Sequence, residues 1–271
     1  MAHLERIEGL PVPAEVLIAP DPAGIAEASA ERIHTWTQEA LEQRPSTHVA
    51  LTGGSSATHL HAELRKPRWR TALPWDCVHF WWGDDRFVPG DHPDSNFGAA
   101  FRELFYDDGL TVPGANIHPI PADTAFADDR DAAWTAKAYA TELQTLVPLR
   151  DGLPILDVIL LGMGPDGHVL SIFPHSPALG AGTPIVMDVP APEHVDPKLP
   201  RVTLNPELLG VAGHVLVMVG GTAKALVVKQ VLTGERDPAE LPAQLATGPN
   251  ATWILDRGSA AELKEPRVPA S

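Results

Sequence analysis

The sequence predicts an α/β fold in which a mainly parallel sheet carries helices on both faces. Short apolar runs alternate along the chain with longer segments whose apolar residues recur at helical spacing, and no segment repeats. This alternation is typical of strands joined by crossover helices, and strands buried on both faces are apolar almost throughout. With 271 residues and 44% hydrophobic content, the chain can bury the core of such a fold.

Apolar runs rich in valine, isoleucine and leucine mark the predicted strands of the sheet. Several of these runs end in glycine or aspartate, which favour tight turns. The predicted strands are residues 15–20, 47–54, 78–85, 153–164, 213–221 and 252–256. A further short strand, IVMDV, is predicted inside the proline-rich stretch 174–200, which otherwise is predicted to be loop.

Segments with helical periodicity lie between these runs. The predicted helices are residues 22–43, 55–66, 95–105, 128–147 and 222–233. Asp21 is predicted to cap the first of them, because a proline in the first turn commonly follows an N-cap residue. Ser95 and Asn96 are predicted to cap the third helix.

We expect one domain over residues 1–258 and a flexible tail over 259–271. The N-terminal residues lack the basic start and apolar core of a signal peptide, and no run has the apolar length of a membrane span. The single cysteine, Cys77, excludes internal disulfides and fits a reducing compartment. These features predict a cytoplasmic protein.

The formal net charge of −15 argues against nucleic acid or an anionic membrane as the main partner. A small anion can still bind where basic residues cluster locally. We expect a small-molecule partner and no cofactor, and homo-oligomer formation is left open.

Glycines and polar residues follow several predicted strands, where ligands bind in parallel α/β sheets. Loops with a purely structural role would seldom repeat this combination at several strand ends, so we predict that these residues belong to one site. The residues concerned are Gly53, Gly54 and Ser55 after the second strand; Gly83, Asp84, Asp85 and Arg86 around the end of the third; Gly162, Gly164, Asp166, Gly167 and His168 around the end of the fourth; and Gly220, Gly221, Thr222 and Lys224 around the end of the fifth.

The stretch VALTGGSSATHL, residues 49–60, has two interpretations. It is similar to the strand-turn-helix elbow of serine hydrolases, in which Ser55 would be the nucleophile. The same geometry also directs free backbone N–H groups at an anion. The rest of the chain must decide between the two.

Three segments resemble the signature segments of 6-phosphogluconolactonases: LGMGPDGHVLSIFP (161–174), GDDRFVPGDHPDSNFG (83–98) and LTGGSS (51–56). RVTLNPELL (201–209) and GGTAKALVVKQVL (220–232) resemble later segments of that family. The resemblance implies the three-layer α/β fold shared with glucosamine-6-phosphate deaminases and ribose-5-phosphate isomerases. It also implies hydrolysis of 6-phospho-D-glucono-1,5-lactone to 6-phospho-D-gluconate, in the oxidative pentose phosphate pathway. Thr52 and Asp85 stand where the family often has serine and glutamate, so their contacts stay open. The resemblance also puts the loop of Ser95 and Asn96 by the site, although capping of the helix is preferred to contact with the sugar.

Hydrolysis of a δ-lactone needs a positioned water, a base and charge stabilisation at the carbonyl oxygen. His168 is the candidate base, because an imidazole is largely neutral at pH 7 and can return the proton to the ring oxygen. Asp166 either holds the turn or orients the imidazole ring. Arg86 either stabilises the oxyanion, grips the phosphate or forms a salt bridge with Asp84 or Asp85.

Arg201 and Lys224 suit the dianionic phosphate, and Gly53, Gly54 and Ser55 are predicted to form part of its cradle. Asp84 completes the set of candidate catalytic residues, which also contains His168, Asp166 and Arg86. The serine-nucleophile interpretation is disfavoured because His168 is better explained as the base that activates water.

Two other functions are weighed against the lactonase. Glucosamine-6-phosphate deaminases carry a glutamate close after the histidine of this motif, whereas here Ser171, Ile172, Phe173 and Pro174 follow. A non-catalytic sugar-phosphate-binding regulator would be expected to carry a basic DNA-binding module, and this chain is acidic. Metal-independent activity is predicted, since His59 and His61 would diverge on a helix and no Cys/His ligand spacing occurs.

Overall fold

The computed structural model describes residues 4–180, 182 and 184–263, and its centre is a seven-stranded sheet. The strands are β1 (Glu5–Arg6), β2 (Glu15–Ala19), β3 (Thr47–Leu51), β4 (Val78–Trp82), β5 (Asp84–Arg86), β6 (Leu149–Arg150), β7 (Leu153–Pro154), β8 (Val158–Leu161), β9 (Val186–Val189), β10 (Arg201–Leu204), β11 (His214–Val219) and β12 (Ala251–Asp256). The order in the central sheet is β1-β2-β12-β11-β8-β3-β4. Only the β1–β2 pair is antiparallel, so the predicted parallel α/β sheet is confirmed.

Helices fill the connections between the strands. They are α1 (Pro22–Gln43), α2 (Ser55–Leu64), α3 (Pro67–Arg70), α4 (Asn96–Ala100), α5 (Ala122–Ala127), α6 (Ala132–Leu146), α7 (Glu207–Val211) and α8 (Ala225–Thr233). The carboxylate of Asp21 accepts a hydrogen bond from the backbone N–H of Gly24 at 2.8 Å, which confirms the predicted cap of α1. None of the helices in the described part of the chain combines the length and apolar character that a membrane span requires.

A second, three-stranded antiparallel sheet, in the order β5-β10-β9, lies beside the central one. Its presence corrects the single strand predicted over 78–85, because the chain leaves the central sheet at Gly83. The N–H of Gly83 still donates to Leu51 of β3 at 2.9 Å, while its carbonyl accepts from Leu204 at 2.8 Å. The small sheet sets Arg86 directly opposite Arg201 in the strand register.

Other predicted boundaries are also corrected. The strand predicted over 153–164 is a short β6–β7 hairpin followed by β8, and the helix predicted over 128–147 begins only at Ala132. The carboxylate of Asp131 caps that helix by accepting from the N–H of Trp134 at 2.8 Å. The predicted helix over 222–233 opens with a 3₁₀ turn, Thr222–Lys224, before α8.

One hydrophobic cluster runs through the molecule and includes all of the long central strands. Trp81, Trp82 and Trp253 are among its largest fully buried side chains. At the start of the predicted tail, Ser259 is fully buried, and its hydroxyl donates to the carbonyl of Val219 at 2.7 Å. Residues 264–271 of that predicted tail lie outside the described residues.

Candidate active site

A pocket lies at the carboxyl ends of the central strands, beside the small antiparallel sheet. It is lined by backbone and side chains from every strand end that the sequence singled out. The lining residues are Thr52, Gly53, Gly54, Ser55, Ser56, Asp84, Arg86, Asn96, Gly162, Met163, Gly164, His168, Leu170, Arg201 and Lys224. All predicted site residues except Asp166 therefore line one pocket, and Asp166 contacts it through His168.

His168 stands at the end of a tight turn that begins after β8. The N–H of Gly164 donates to the carbonyl of His168 at 2.9 Å, and Gly167 adopts a φ of +81°, a conformation that glycine reaches without strain. A Cβ on Gly164 would lie 2.1 Å from the imidazole ring. The glycines of this motif thus allow the ring to lie directly against the backbone.

The imidazole of His168 is held by Asp166. Its Nδ1 lies 2.5 Å from Oδ1 of Asp166, so Nδ1–H donates to the carboxylate and Nε2 is left as the basic nitrogen. The other carboxylate oxygen, Oδ2, lies 2.9 Å from Nε2 of His194. Burial opposes ionisation of Asp166, but the hydrogen bonds from His168 and His194 and the charge of His168 outweigh it and hold the pKa of Asp166 well below its usual range. His194 had no predicted role.

Asp84 is buried beside the turn and is bound to another residue of the histidine motif. The hydroxyl of Ser171 donates to Oδ2 of Asp84 at 2.6 Å. Leu170, which lines the pocket, has a φ of 55° and turns the chain immediately before Ser171. The sequence contained Ser171 in its signature segment, but nothing in its spacing indicated Asp84 as the partner.

The guanidinium of Arg86 is anchored by neutral oxygen atoms. Its Nη1 donates to the carbonyl of Asp94 at 2.7 Å and to Oδ1 of Asn96 at 3.0 Å. Within the described residues it forms no salt bridge with Asp84 or Asp85, which argues against the salt-bridge alternative. Its Nε is buried without a hydrogen-bond partner in the structure. Among the described residues, the guanidinium of Arg86 therefore stands at the wall of the pocket without an ion-pair partner.

Asp85 points away from this chemistry and organises the loop before α4. Burial raises the pKa of Asp85 to about 6, although donated hydrogen bonds favour its ionised form. Those donors are the backbone N–H groups of Arg86, Asn96 and Phe97 and the hydroxyl of Ser95. Ser95 also caps α4 through the N–H of Gly98 at 3.0 Å, as predicted. Asn96 was predicted to be a cap as well, but its side chain lines the pocket and orients Arg86.

Arg201 and Lys224 add two further cations to the pocket. Arg201 is 4% exposed, and its guanidinium donates to the carbonyls of Pro197 at 2.9 Å and Leu199 at 3.2 Å. Burial and the nearby charge of Arg86 lower the pKa of Arg201, and burial likewise lowers that of Lys224. Among the described residues, neither side chain forms a salt bridge. A pocket with three cations that lack ion-pair partners favours a multiply charged anion.

The glycine loop before α2 brings its backbone into the same pocket. Gly54 adopts a φ of +87° as it enters the helix, and a Cβ on Gly53 would lie 1.9 Å from Oδ1 of Asn96. The start of a ten-residue helix directs unpaired N–H groups and its positive dipole end toward the pocket. Where the structure describes the chain, no hydrogen bond joins Ser55 to His168, whose Nδ1 is occupied by Asp166.

The family model described as glucosamine-6-phosphate isomerases/6-phosphogluconolactonase matches residues 20–254. The chain belongs to this family. It is 36% identical over 234 residues to a 6-phosphogluconolactonase of Synechocystis sp., a match that covers 86% of this chain and 91% of the relative. It is 30% identical to a 6-phosphogluconolactonase from Leishmania guyanensis whose crystal structure has a TM-score of 0.77, with 92% and 98% of the two chains covered. The resemblance drawn from the signature segments is confirmed.

The fold of this family does not by itself separate lactonases from deaminases. A monomeric glucosamine-6-phosphate deaminase shares it with a TM-score of 0.73 at 16% identity, covering 91% of this chain and 99% of that one. The residues that follow His168 bear on this distinction, because the deaminase motif is expected to carry a glutamate there. Here Ser171 is bound to Asp84, and Ile172 and Phe173 are buried apolar side chains, so no carboxylate occupies this stretch.

No group of three or more His, Cys, Asp and Glu side chains in residues 4–180, 182 and 184–263 is arranged to hold a metal ion. His59 and His61 diverge as predicted, since the ring of His59 contacts the carbonyl of Ser55 and that of His61 contacts Glu103, each at 2.8 Å. Metal-independent activity stays a prediction.

Proposed function

We propose that the chain hydrolyses 6-phospho-D-glucono-1,5-lactone to 6-phospho-D-gluconate in the oxidative pentose phosphate pathway. The observation that carries the proposal is the pairing of His168 with Asp166 at the wall of a pocket that also contains three cations, none of which has an ion-pair partner among the described residues. A base beside an anion site fits a phosphorylated ester substrate, and the names of the relatives support the lactone as that ester.

In the proposed mechanism, Nε2 of His168 takes a proton from a water molecule as its oxygen attacks the lactone carbonyl carbon, C1. Asp166 keeps the imidazole in the required tautomer and stabilises the imidazolium that forms. When the bond between C1 and the ring oxygen O5 breaks, the imidazolium returns the proton to O5. The products are a carboxylic acid, which ionises, and a free hydroxyl, so the base is regenerated.

Charge stabilisation is assigned to the cations of the pocket. Arg201 and Lys224, together with Gly53, Gly54 and Ser55 at the start of α2, are proposed to bind the phosphate. Arg86 is proposed either to share the phosphate or to stabilise the oxyanion that forms at the carbonyl oxygen. Asp84, bound by Ser171, is proposed to keep the histidine motif and the small sheet in register.

Several coarser features belong to the same proposal. We propose a cytoplasmic enzyme consisting of one domain over residues 1–258, acting without cofactor or metal ion on a small-molecule substrate. The single hydrophobic cluster of the described residues supports the single domain.

A coupled assay tests the proposed activity. Freshly generated 6-phosphogluconolactone is expected to disappear faster than it hydrolyses spontaneously, with stoichiometric formation of 6-phosphogluconate. Glucosamine 6-phosphate is expected to yield no ammonia. Ammonia release without any acceleration of lactone opening would move the chain to the deaminase branch of its family.

A further inference from the structure

We propose that His194 is a positioning residue for His168: by binding the second oxygen of Asp166, it sets how His168 faces the substrate and how readily His168 accepts a proton. The inference rests on the proposed lactonase activity. It concerns a residue outside the glycine-rich strand ends, in the proline-rich stretch before β10.

Asp166 is shared between two imidazoles. Its Oδ1 accepts from Nδ1 of His168 at 2.5 Å, while its Oδ2 lies 2.9 Å from Nε2 of His194. Side-chain exposure differs sharply along this chain of contacts, with 17% for Asp166, 18% for His168 and 53% for His194. His194 thus lies on the outer side of the carboxylate and His168 on the pocket side.

The segment that carries His194 is held to the site through His194 itself and through residues that follow it. The ring of Phe173 lies edge-on to His194 with centroids 5.9 Å apart, and its centroid is 4.7 Å from that of His168. The buried guanidinium of Arg201 lies over the same phenyl ring at 5.9 Å. It also donates to the carbonyls of Pro197 and Leu199, which follow His194 in the chain. These contacts hold the exposed side chain of His194 in a defined position.

A hydrogen bond to Oδ2 affects His168 in two ways. First, it prevents rotation of the carboxylate, so Oδ1 stays aligned with the imidazole and Nε2 stays directed at the pocket. Second, it draws negative charge from the carboxylate, which weakens the stabilisation that Asp166 gives to protonated His168. Loss of His194 is therefore expected to loosen the ring and to raise the pH at which His168 gains its proton.

The other charges near His194 do not change this sign. Arg201 lies over the ring of Phe173, and Asp84, Arg86 and Lys224 line the same pocket as His168. All four are unchanged in every variant considered. The segment itself carries the exposed side chains of Glu193, Asp196 and Lys198. Exposed charges are screened by water and salt, so the directly bonded carboxylate of Asp166 dominates.

Two substitutions of His194 separate the hydrogen bond from the titratable ring. His194→Ala removes the donor, and His194→Gln keeps an amide N–H at a reach similar to that of Nε2. In the alanine variant we expect kcat at pH 7 to fall about 3- to 10-fold, with KM nearly unchanged. We also expect the acid limb of the kcat/KM profile to move up by about half a pH unit. The glutamine variant is expected to recover most of kcat and to give an intermediate midpoint.

His175→Ala is the matched control. His175 also pairs with a carboxylate, that of Glu240 at 3.1 Å, but its side chain is 67% exposed and does not line the pocket. We expect this variant to keep the wild-type kcat and acid limb. Rates at every pH are corrected for spontaneous opening of the lactone.

A measurement without substrate tests this inference independently of the proposed activity. An NMR titration of the His168 imidazole in the wild-type protein and in His194→Ala is expected to give the higher midpoint in the variant. If both midpoints agree, or if kcat falls without any movement of the acid limb, His194 has only a structural role and the inference is overturned. A wild-type protein that does not accelerate lactone opening would refute the proposed activity, and the NMR comparison would still decide the coupling.

Discussion

Replacing His168 by asparagine separates the base from the contacts that hold it. The side-chain amide nitrogen of asparagine reaches about as far as the imidazole Nδ1, which lies 2.5 Å from Oδ1 of Asp166. The variant can therefore keep its hydrogen bond to Asp166, and the adjoining Gly164 needs no adjustment because the new side chain is smaller than the ring. What it lacks is Nε2, the only nitrogen of the ring that Asp166 leaves free.

The expected loss follows from this difference. Removal of a positioned general base lowers kcat by roughly 10² to 10⁴, which corresponds to about 3 to 5 kcal/mol of barrier. KM is expected to change little, since the proposed phosphate-binding residues Arg201 and Lys224 are unaltered. The measurement is lactone hydrolysis under saturating substrate, with the spontaneous rate subtracted because it limits the loss that can be detected.

His175→Asn provides the control for a histidine outside the pocket, and circular dichroism with thermal unfolding shows whether both variants fold. Binding of 6-phosphogluconate to His168→Asn should match the wild type. A folded His168→Asn variant with near-wild-type kcat would refute the assignment of His168 as the base. Asp84, Asp85 and Ser55 would then be the next candidates for the catalytic group.

Three further predictions test the anion site, the glycine loop and the core. Lys224→Ala should weaken binding of 6-phosphogluconate about 10-fold or more, as measured by calorimetry, whereas Lys229→Ala on the following helix should not. If Lys224→Ala bound 6-phosphogluconate as tightly as the wild type does, Lys224 would not be part of the phosphate site. Gly53→Ala would set a Cβ 1.9 Å from Oδ1 of buried Asn96. Denaturant unfolding should therefore show that the free energy of unfolding falls by about 1 to 3 kcal/mol, and kcat/KM should fall as well. Unchanged stability would contradict the close packing. His48 is 3% exposed, and burial lowers its pKa from 6.5 to about 4. The unfolded chain takes up this proton at a higher pH than the folded chain does. As the pH falls from 6.5 to 4, the wild type should therefore lose about 3 kcal/mol of stability relative to His48→Asn, whose carbonyl still accepts from the indole N–H of Trp81. The same pH dependence of the free energy of unfolding in both proteins would exclude the effect.

Local pattern predicted the longer strands of the central sheet well because each of them is a short, mostly buried apolar run. The edge strand β1 consists of two exposed charged residues and was not predicted. Residues 15–20, 47–54 and 252–256 match β2, β3 and β12 to within three residues at each end. The helix predicted over 22–43 has the observed bounds, since Asp21 and Pro22 mark its start locally. Boundaries failed where distant partners decide them, as at Gly83, where β10 pairs with β5 and draws the chain out of the central sheet.

The candidate site shows the same difference between features that local sequence predicts and features that depend on distant parts of the chain. Because parallel strands end at one edge of a sheet, the sequence alone could predict that Gly53, Arg86, His168 and Lys224 share a pocket. The partners of these residues could not be predicted, because they come from loops far away in the chain. Ser171 binds Asp84 across 87 residues, and His194 binds Asp166 across 28. Asn96 was assigned to a helix cap from its neighbours, yet the anchoring of its loop by Asp85 turns it toward Arg86.

The sequence by itself thus determined the parallel α/β fold, the edge at which the site lies and the histidine motif that identifies the family. These features depend on residue spacing within single segments, where periodicity and glycine turns act locally. Only the tertiary structure decided that Arg86 is free of Asp84, that Arg86 and Arg201 face each other on a second sheet, and that two histidines share Asp166. Those features depend on which loops meet when the core closes, and the free energy of that packing is spread over residues far apart in the chain.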